Sequence, residues 1–464
     1  MQTTRLTEKK RNTIQRAARK SLYRTAWVAC LVVAGGITGC SSTESNMAGT
    51  ESEEELETAS TSASENEVIS DIDAAPIGEP QIFELNAENL LQAALPADQL
   101  EDGWVRMFDG QSLFGWFVVG KANWSIADET LRVSRGERSY LCSSFQLVSC
   151  EFKVDFRCDE DTNSGIFLRT GPQPENVGED CLELNIAPPS NAYPTGSFVE
   201  RKKLEPSELK ATLGKSFDPT EWHTYHVKLK DTSVEVFLDG KQVMELKDFS
   251  AKPIGHISLQ HNSGRVEFRN ILLRPTSGTA LPLGDNWEEA WTKSTKDEAE
   301  LDVQVAEDGL QLVGGLGQIQ SNDDFGDFFL QAAYTLAEPE VNSGIFFRCI
   351  RDNMLDGYEC QVNHATEDGD SLRPADAGAG AIFRRQNARI VIGDGTTKTH
   401  LTILANGPQI VTWVNGVQVA DFYDSREPND NPRRGLRTEP GPVSIQAHDP
   451  GTKVTFHKLQ ISGR

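Results

Sequence analysis

The sequence predicts an all-β protein made of two tandem copies of one sandwich- or barrel-type domain. Three observations predict it. From about residue 100 the chain runs in short alternating stretches such as EFKVDFRC (151–158), TYHVKLK (224–230) and SVEVFLDGKQVMEL (233–246), broken by Gly, Asn, Asp and Pro. Period-two alternation belongs to half-buried strands, and many short strands at regular spacing belong to a sandwich or barrel. Asp239-Gly240 and Asn415-Gly416 each separate two such runs, a strong hairpin signal. Finally, one set of landmarks occurs twice in the same order. NSGIFLR (163–169) matches NSGIFFR (342–348), CLELN (181–185) matches ECQVN (359–363), and TGSF (195–198) matches AGAI (379–382). VFLDGKQV (236–243) then matches TWVNGVQV (412–419), and ISLQH (257–261) matches VSIQAH (443–448). The period is far longer than a solenoid repeat, so whole domains are duplicated.

Taken in order, the chain opens with an address. Residues 1–39 hold eight Lys/Arg and one acid, and a basic start leads into the apolar run AWVACLVVAGGITG (26–39). That run is too short to span a bilayer comfortably and fits a signal-peptide core. It closes on Ile37-Thr38-Gly39-Cys40, which resembles a bacterial lipoprotein cleavage box. The resemblance implies an exported protein of the cell envelope, lipid-anchored through Cys40. An ordinary secretory signal cut nearby is the alternative. Residues 40–80 form an acidic, Ser/Thr-rich linker; 41–80 hold eleven acids and no Lys or Arg. Such a segment buries too little apolar surface to fold and serves as a solvated spacer. The two domains follow at 98–275 and 283–464, joined by PTSGTALPLG (275–284).

Beyond the first 39 residues, 37 Lys/Arg face 68 Asp/Glu. A body this acidic repels nucleic acid and anionic lipid, which leaves the lipid anchor as the membrane contact; a neutral sugar is not repelled. Export permits disulfides. Alternation places Cys349 and Cys360 on one apolar face of a hairpin, as a disulfide or as two buried thiols. Pairing among Cys142, Cys150, Cys158 and Cys181 does not follow from the sequence.

Alternation also assigns faces. Ile166 and Leu168 oppose Phe167 and Arg169, and Leu182, Leu184 and Ile186 oppose Glu183 and Asn185. In the second copy Ile345, Phe347 and Cys349 oppose Phe346 and Arg348. Tyr358, Cys360 and Val362 oppose Glu359, Gln361 and Asn363. On the last pair of strands Ser258 and Gln260, and Ser444, Gln446 and His448, form the polar side. Amides recurring at matched places suit hydroxyl recognition, since each offers a donor and an acceptor. This reads as a sugar-binding face, or as a polar network that holds sheet register.

The ordered landmarks resemble the 3-keto-disaccharide hydrolase family. The likeness runs from GWVRMFDGQSLFGW (103–116) through VEFRNI in the first copy. In the second it runs from NSGIFFRC through GYECQVN, AGAIFRR and NPRRGLRTEPGPVSIQAHDP to VTFHKLQI. It implies a concanavalin A-like jelly-roll sandwich in each copy and activity on sugars oxidised at carbon 3. It implies a base for the acidified hydrogen on carbon 2, an acid for the leaving oxygen, and donors or a divalent metal ion such as Ca²⁺ for the enolate. Carried over position by position, the site comprises Arg169, Glu183, Asn185, Gln260 and His261 in the first copy. In the second it comprises Arg348, Glu359, Gln361, Asn363, Gln446, His448 and Asp449. Glu183, Glu359 and His448 are the acid/base candidates, and the arginines would polarise the keto oxygen. Matching CLELN to ECQVN pairs Glu359 with Cys181 and Glu183 with Gln361, so the copies differ. The second copy keeps the family's YECQ pattern and the HDP after the last long strand, and the resemblance thus favours it as the catalytic or better-binding copy, with the first a degenerate, binding-only module. Two non-catalytic lectin-like modules, or a surface structural protein, are the competing readings.

Other chemistries find little support. The ExDxxE pattern of jelly-roll glucanases is absent, which argues against a retaining glycosidase. The eight His do not cluster as zinc ligands, and no Gly-rich phosphate loop or GxSxG elbow occurs. DEDTNSG (159–165) reads as a turn, with a loose Ca²⁺ site shared with EPEVNSG (338–344) as the alternative. The Trp side chains fill the core or stack on sugar.

Overall fold

The computed structural model of the chain describes Ile77 and residues 85–297 and 299–463. The expected signal segment 1–39, the expected anchor Cys40 and, apart from Ile77, the expected linker through Pro80 lie outside the described residues. No helix among the described residues is long and apolar enough to cross a membrane.

Two β-sandwiches follow one another, each pairing an eight-stranded sheet with a five-stranded sheet. All strand pairs are antiparallel. In the first five-stranded sheet the order is Trp116–Val119, Ser139–Ser143, His256–Ser263, Asn163–Thr170, Leu182–Ile186. In the second it is Trp291–Thr295, Gly317–Ser321, Ser444–Ala447, Ser343–Phe347, Tyr358–Val362. The two orders are the same, which is the duplication seen as topology. Between the sheets the predicted apolar faces meet: Ile166, Leu168, Leu184 and Leu259 in one core, Ile345, Phe347, Cys360 and Ile445 in the other. Both hairpin turns take the left-handed conformation that Asn-Gly and Asp-Gly favour, with φ of 49° and 76° at Asp239-Gly240 and 46° and 80° at Asn415-Gly416.

Alternation fails where NSGIF(L/F)R ends. Arg169 and Arg348 are left-handed, with φ of 54° and 48°, and break the period: the second-copy strand ends at Phe347, and in the first copy Thr170 pairs with His256 only across an irregularity. Arg348 does not join the polar face. It is fully buried, donating from Nε to Gly326 O (3.0 Å), from Nη1 to Gly407 O (2.6 Å) and Arg437 O (3.1 Å), and from Nη2 to Asp327 (2.7 Å). Arg169 likewise donates from Nε to Val148 O at 2.6 Å and lies over Phe249. The same break separates the cysteines. Cys360 sits in the core, whereas Cys349 receives Ser444 Oγ at 3.6 Å on the other side of the sheet. All six described cysteines are buried free thiols.

The sandwiches share one compact unit. Trp413, from the second eight-stranded sheet, packs in the first core, edge-on to Phe145 at 5.6 Å, and its indole donates to Arg106 O at 2.8 Å. Beside it the buried pair Arg389–Asp109 (2.8 Å) ties the copies together, with Arg389 lying over Phe114.

Candidate active site

The outer face of each five-stranded sheet carries a buried carboxylate. In the second copy Glu359 lies opposite Phe346, and in the first Glu183 lies opposite Phe167. This register corrects the sequence alignment of the copies. Glu183 is the counterpart of Glu359, Asn185 of Gln361, and Asn363 of Ala187. The match of CLELN to ECQVN had slid by two residues. A two-residue slip keeps every side chain on its own face, so alternation does not reveal it. The first copy therefore keeps the carboxylate.

The repeated NSG phrase builds this place. Ser164 Oγ and Ser343 Oγ donate to the carbonyls of Gln260 and Gln446 (2.6 and 2.7 Å), pinning the neighbouring strand. A Cβ on Gly165 or Gly344 would stand 3.2 or 3.3 Å from Oε1 of Glu183 or Glu359, so glycine lets the carboxylate lie over the adjacent strand. In the second copy the Asn also takes part. Asn342 Nδ2 and Gln361 Nε2 both donate to Asp376 Oδ2, at 3.2 and 3.1 Å. Asp376 is a site residue that the sequence reading missed. It lies on loop 364–378, and the corresponding first-copy loop, PPSNAYP (188–194), has no carboxylate.

Glu359 is 7% exposed. Burial pushes its carboxyl up to about 7, against the pull of Arg433, His448 and Arg384, while Asp376 pushes it further up. Arg433 Nη2 lies 3.4 Å from Glu359 Oε2 and is held by its Nε donating to Leu355 O at 2.8 Å. It comes from segment 424–443, where the first copy has only 248–255 between the matching strands. Arg426, paired with Asp424 at 2.7 Å, clamps that segment, and Asp424 in turn accepts from Tyr358 Oη at 2.7 Å. Glu359, Phe383, Arg384, Arg385 and Arg433 line a pocket of about 200 Å³. His448, whose charge bears on Glu359, has its Nδ1 2.9 Å from Asp449 Oδ2. With Nδ1–H given to Asp449, Nε2 is left for proton transfer. Asp449 also accepts from Gly451 N and so holds the imidazole and its turn.

Gln446 and Gln361 lie on the same face, 4% and 1% exposed. Their Oε1 atoms have no hydrogen-bond partner among the described residues. Buried acceptors of this kind are costly unless a ligand meets them. Asn363 is not in the site: its amide donates to Glu340 O and its Oδ1 accepts from Ala365 N, which fixes a loop.

In the first copy burial likewise pushes Glu183 up to about 7, opposed by Arg138 and Gln260. The surroundings differ. Tyr140 and Cys142 occupy the places of Gln318 and Gln320, by their pairing with Gln260 and Ser258 against Gln446 and Ser444. Tyr140, Cys142, Phe167 and Cys181 make this face largely apolar. His448 is matched by Asn262. His261 does not face outwards: it falls on the Leu259 side of its strand, 2% exposed, with Nδ1 3.4 Å from Glu137 O. Asn185 points its amide at Tyr193 O.

Trp104, Trp116, Trp124, Trp291 and Trp413 are buried, and Trp222 lies under Arg269. Among the described residues no three His, Cys, Asp or Glu are grouped to hold a metal ion, so no step is routed through one. In the DEDTNSG stretch Thr162 N donates to Asp159 O and Thr162 Oγ1 to Arg265 O, a turn tied to the next strand.

Among solved structures, one from Parabacteroides distasonis ATCC 8503, described provisionally as a glycosyl hydrolase, is 16% identical with a TM-score of 0.33. It covers 40% of this chain and 99% of its own. The carbohydrate-binding module CBM66 from Bacillus subtilis is 17% identical with a TM-score of 0.27, over 37% of this chain and 96% of its own. A β-1,3-1,4-glucanase (lichenase) from a mouse hindgut metagenome is 12% identical with a TM-score of 0.29, over 40% and 99%. The fold assignment rests on strand order and not on these likenesses. No curated protein matches the chain. The sequence profile of the 3-keto-alpha-glucoside-1,2-lyase-like domain matches residues 103–274 and again 282–462, and the chain belongs to that family, with two tandem copies.

Proposed function

We propose that the protein cleaves 3-keto-glycosides by elimination at the second sandwich, as an exported, lipid-anchored envelope protein. The observation that carries this reading is Glu359, a buried carboxylate pushed up to about 7 on the wall of a pocket. A base with that affinity is half-ionised near neutral pH and strong enough to take a proton from a carbon beside a ketone. In the proposed reaction Glu359 takes the hydrogen on carbon 2 and the electron pair moves into the enolate. Arg433 and the amides of the sheet face stabilise that charge. The pair then forms the carbon 1–carbon 2 double bond as the glycosidic bond breaks. His448, carrying a proton on each ring nitrogen, gives the one on Nε2 to the leaving oxygen and is left as the neutral imidazole held at Nδ1 by Asp449, and water adds back across the double bond. The first sandwich keeps Glu183 but has no counterpart of Asp376 or His448, which supports a non-catalytic role for it.

A substrate deuterated at carbon 2 tests the chemistry. Elimination predicts slower turnover, with kcat/KM about two- to sevenfold lower than for the protiated sugar, where proton removal limits the rate. It also predicts accumulation of an unsaturated ketone before water adds. Turnover that proceeds with no unsaturated intermediate and no label loss in ordinary water contradicts it.

A further inference from the structure

The wall of the pocket at Glu359 carries more positive charge than that carboxylate balances. The pocket wall holds Arg384, Arg385 and Arg433 against the single carboxylate of Glu359, in a chain of net charge -24. Arg433 is engaged with Glu359. Arg385 gives its Nη atoms to the carbonyls of Arg384 (2.9 Å) and Arg433 (2.7 Å). Among the described residues neither Arg384 nor Arg385 forms an ion pair with a carboxylate. Arg384 is exposed and lies over Phe383, 5.3 Å from the ring centre.

The first copy provides an internal comparison. Phe198 bridges Leu184 and Lys202 just as Ile382 bridges Cys360 and Gln386, so Glu200 is the counterpart of Arg384. Both residues hold the same left-handed backbone, with φ of 59° and 58°. Such a conformation is strained for a residue with a side chain, and it aims both side chains alike. One turn therefore presents a carboxylate over Glu183 and a guanidinium over Glu359. Arg385 has its own counterpart in Arg201, which also spends itself on carbonyls, at Cys181 O (2.8 Å) and Ser250 O (2.6 Å). Arg385 is thus common architecture, whereas Arg384 is particular to the second copy.

Resting on the elimination reading above, we propose that the substrate of the second sandwich is an anionic glycoside, with a carboxylate or sulfate that docks on Arg384. A guanidinium offers a planar fork that fits either group in a bidentate way. The surplus positive charge compensates the repulsion an anion meets from the rest of the acidic protein.

The test compares three 3-keto-glucosides on the full-length protein: one with glucose as the leaving sugar, one with glucuronate, one with glucose 6-sulfate. The proposal predicts that kcat/KM for at least one anionic substrate exceeds that for the neutral one by about tenfold or more. The better anion identifies the source of the charge. Arg384→Gln should cut that preference about tenfold or more, to near parity between the substrates, and Arg384→Glu, which copies the first sandwich, should reverse it. Added salt should erode it. Arg434→Gln, an exposed arginine outside the pocket, should leave the preference intact. A parent protein with no preference for an anion overturns the proposal. So does a preference that survives Arg384→Gln, which would mean that the arginine serves the enolate of every substrate alike, or one that falls equally in Arg434→Gln.

If no 3-keto-glycoside turns over, the elimination reading fails by itself. Calorimetry with the unoxidised glucuronide, sulfate and neutral disaccharides then decides the anion question. Tighter binding of an anion that Arg384→Gln abolishes sustains the anion site, and equal binding of all three overturns it.

Discussion

At the scale of single residues, the two copies share one unusual group, a carboxyl raised by burial to about 7 from an ordinary 4.5. Such a group binds its proton more tightly in the folded than in the unfolded protein. The stability it contributes is complete below about pH 4.5 and is lost as pH rises through about 7. Glu359→Gln should flatten that loss and, at pH 8, exceed the parent in stability by roughly 1–3 kcal/mol. Urea unfolding at pH 5 and pH 8 checks it; parallel pH slopes in parent and variant would contradict it. Activity should show the opposite trend, because the base must be ionised. In the parent kcat/KM should climb with pH through about 7. Gly344→Ala belongs to the same scale. Its Cβ would stand 3.2 Å from Glu359 Cγ and 3.3 Å from Oε1. The carboxylate should shift, and turnover should fall at least tenfold while the fold survives. Unchanged kcat/KM would show that the register of Glu359 does not matter.

At the scale of elements, the strands were legible because alternation and hairpin turns are local properties. The apolar faces of NSGIFLR and CLELN, and both hairpin turns, follow from spacing alone. What alternation does not report is where a strand stops or which of two equivalent registers it takes. Alternation assigns Arg169 and Arg348 to the polar face because it does not register that each is itself the left-handed residue at which the period breaks. The pairing of Glu359 with Cys181 arose because a slip of two residues is invisible to the pattern. Asp376 and Arg433 lie in insertions of the second copy, so the repeat had no partner to flag them; the extra length of those loops was the only signal. Asn342 was visible from the start as the first letter of the repeated phrase. Arg348 carries a test of this account. Truncation to Ala strands the carbonyls of Gly326, Gly407 and Arg437 and leaves Asp327 without its cation, held only by Gly407 N. The expected cost is about 3 kcal/mol or more in urea unfolding. If Arg348→Ala folds at parental stability but loses turnover, the arginine is catalytic after all.

At the scale of the whole molecule, the two sandwiches share core as well as ancestry. Trp413 is fully buried in the neighbouring core, and Arg389–Asp109 is a buried ion pair between copies. The parent should therefore unfold in one cooperative transition. Arg389→Ala leaves Asp109 buried without its cation, and about 2–4 kcal/mol should be lost. Calorimetry would show a lower Tm or two separated transitions, and a trace identical to the parent would contradict the coupling. Within this joined body the central claim is a division of labour, with chemistry at Glu359 and none at the sister carboxylate. The direct measurement is turnover of a 3-keto-disaccharide by Glu359→Gln and Glu183→Gln, each compared with the parent. The account predicts that Glu359→Gln loses at least a hundredfold in kcat while Glu183→Gln stays within about twofold of the parent. Equal losses in the two variants, or a loss confined to Glu183→Gln, would contradict it.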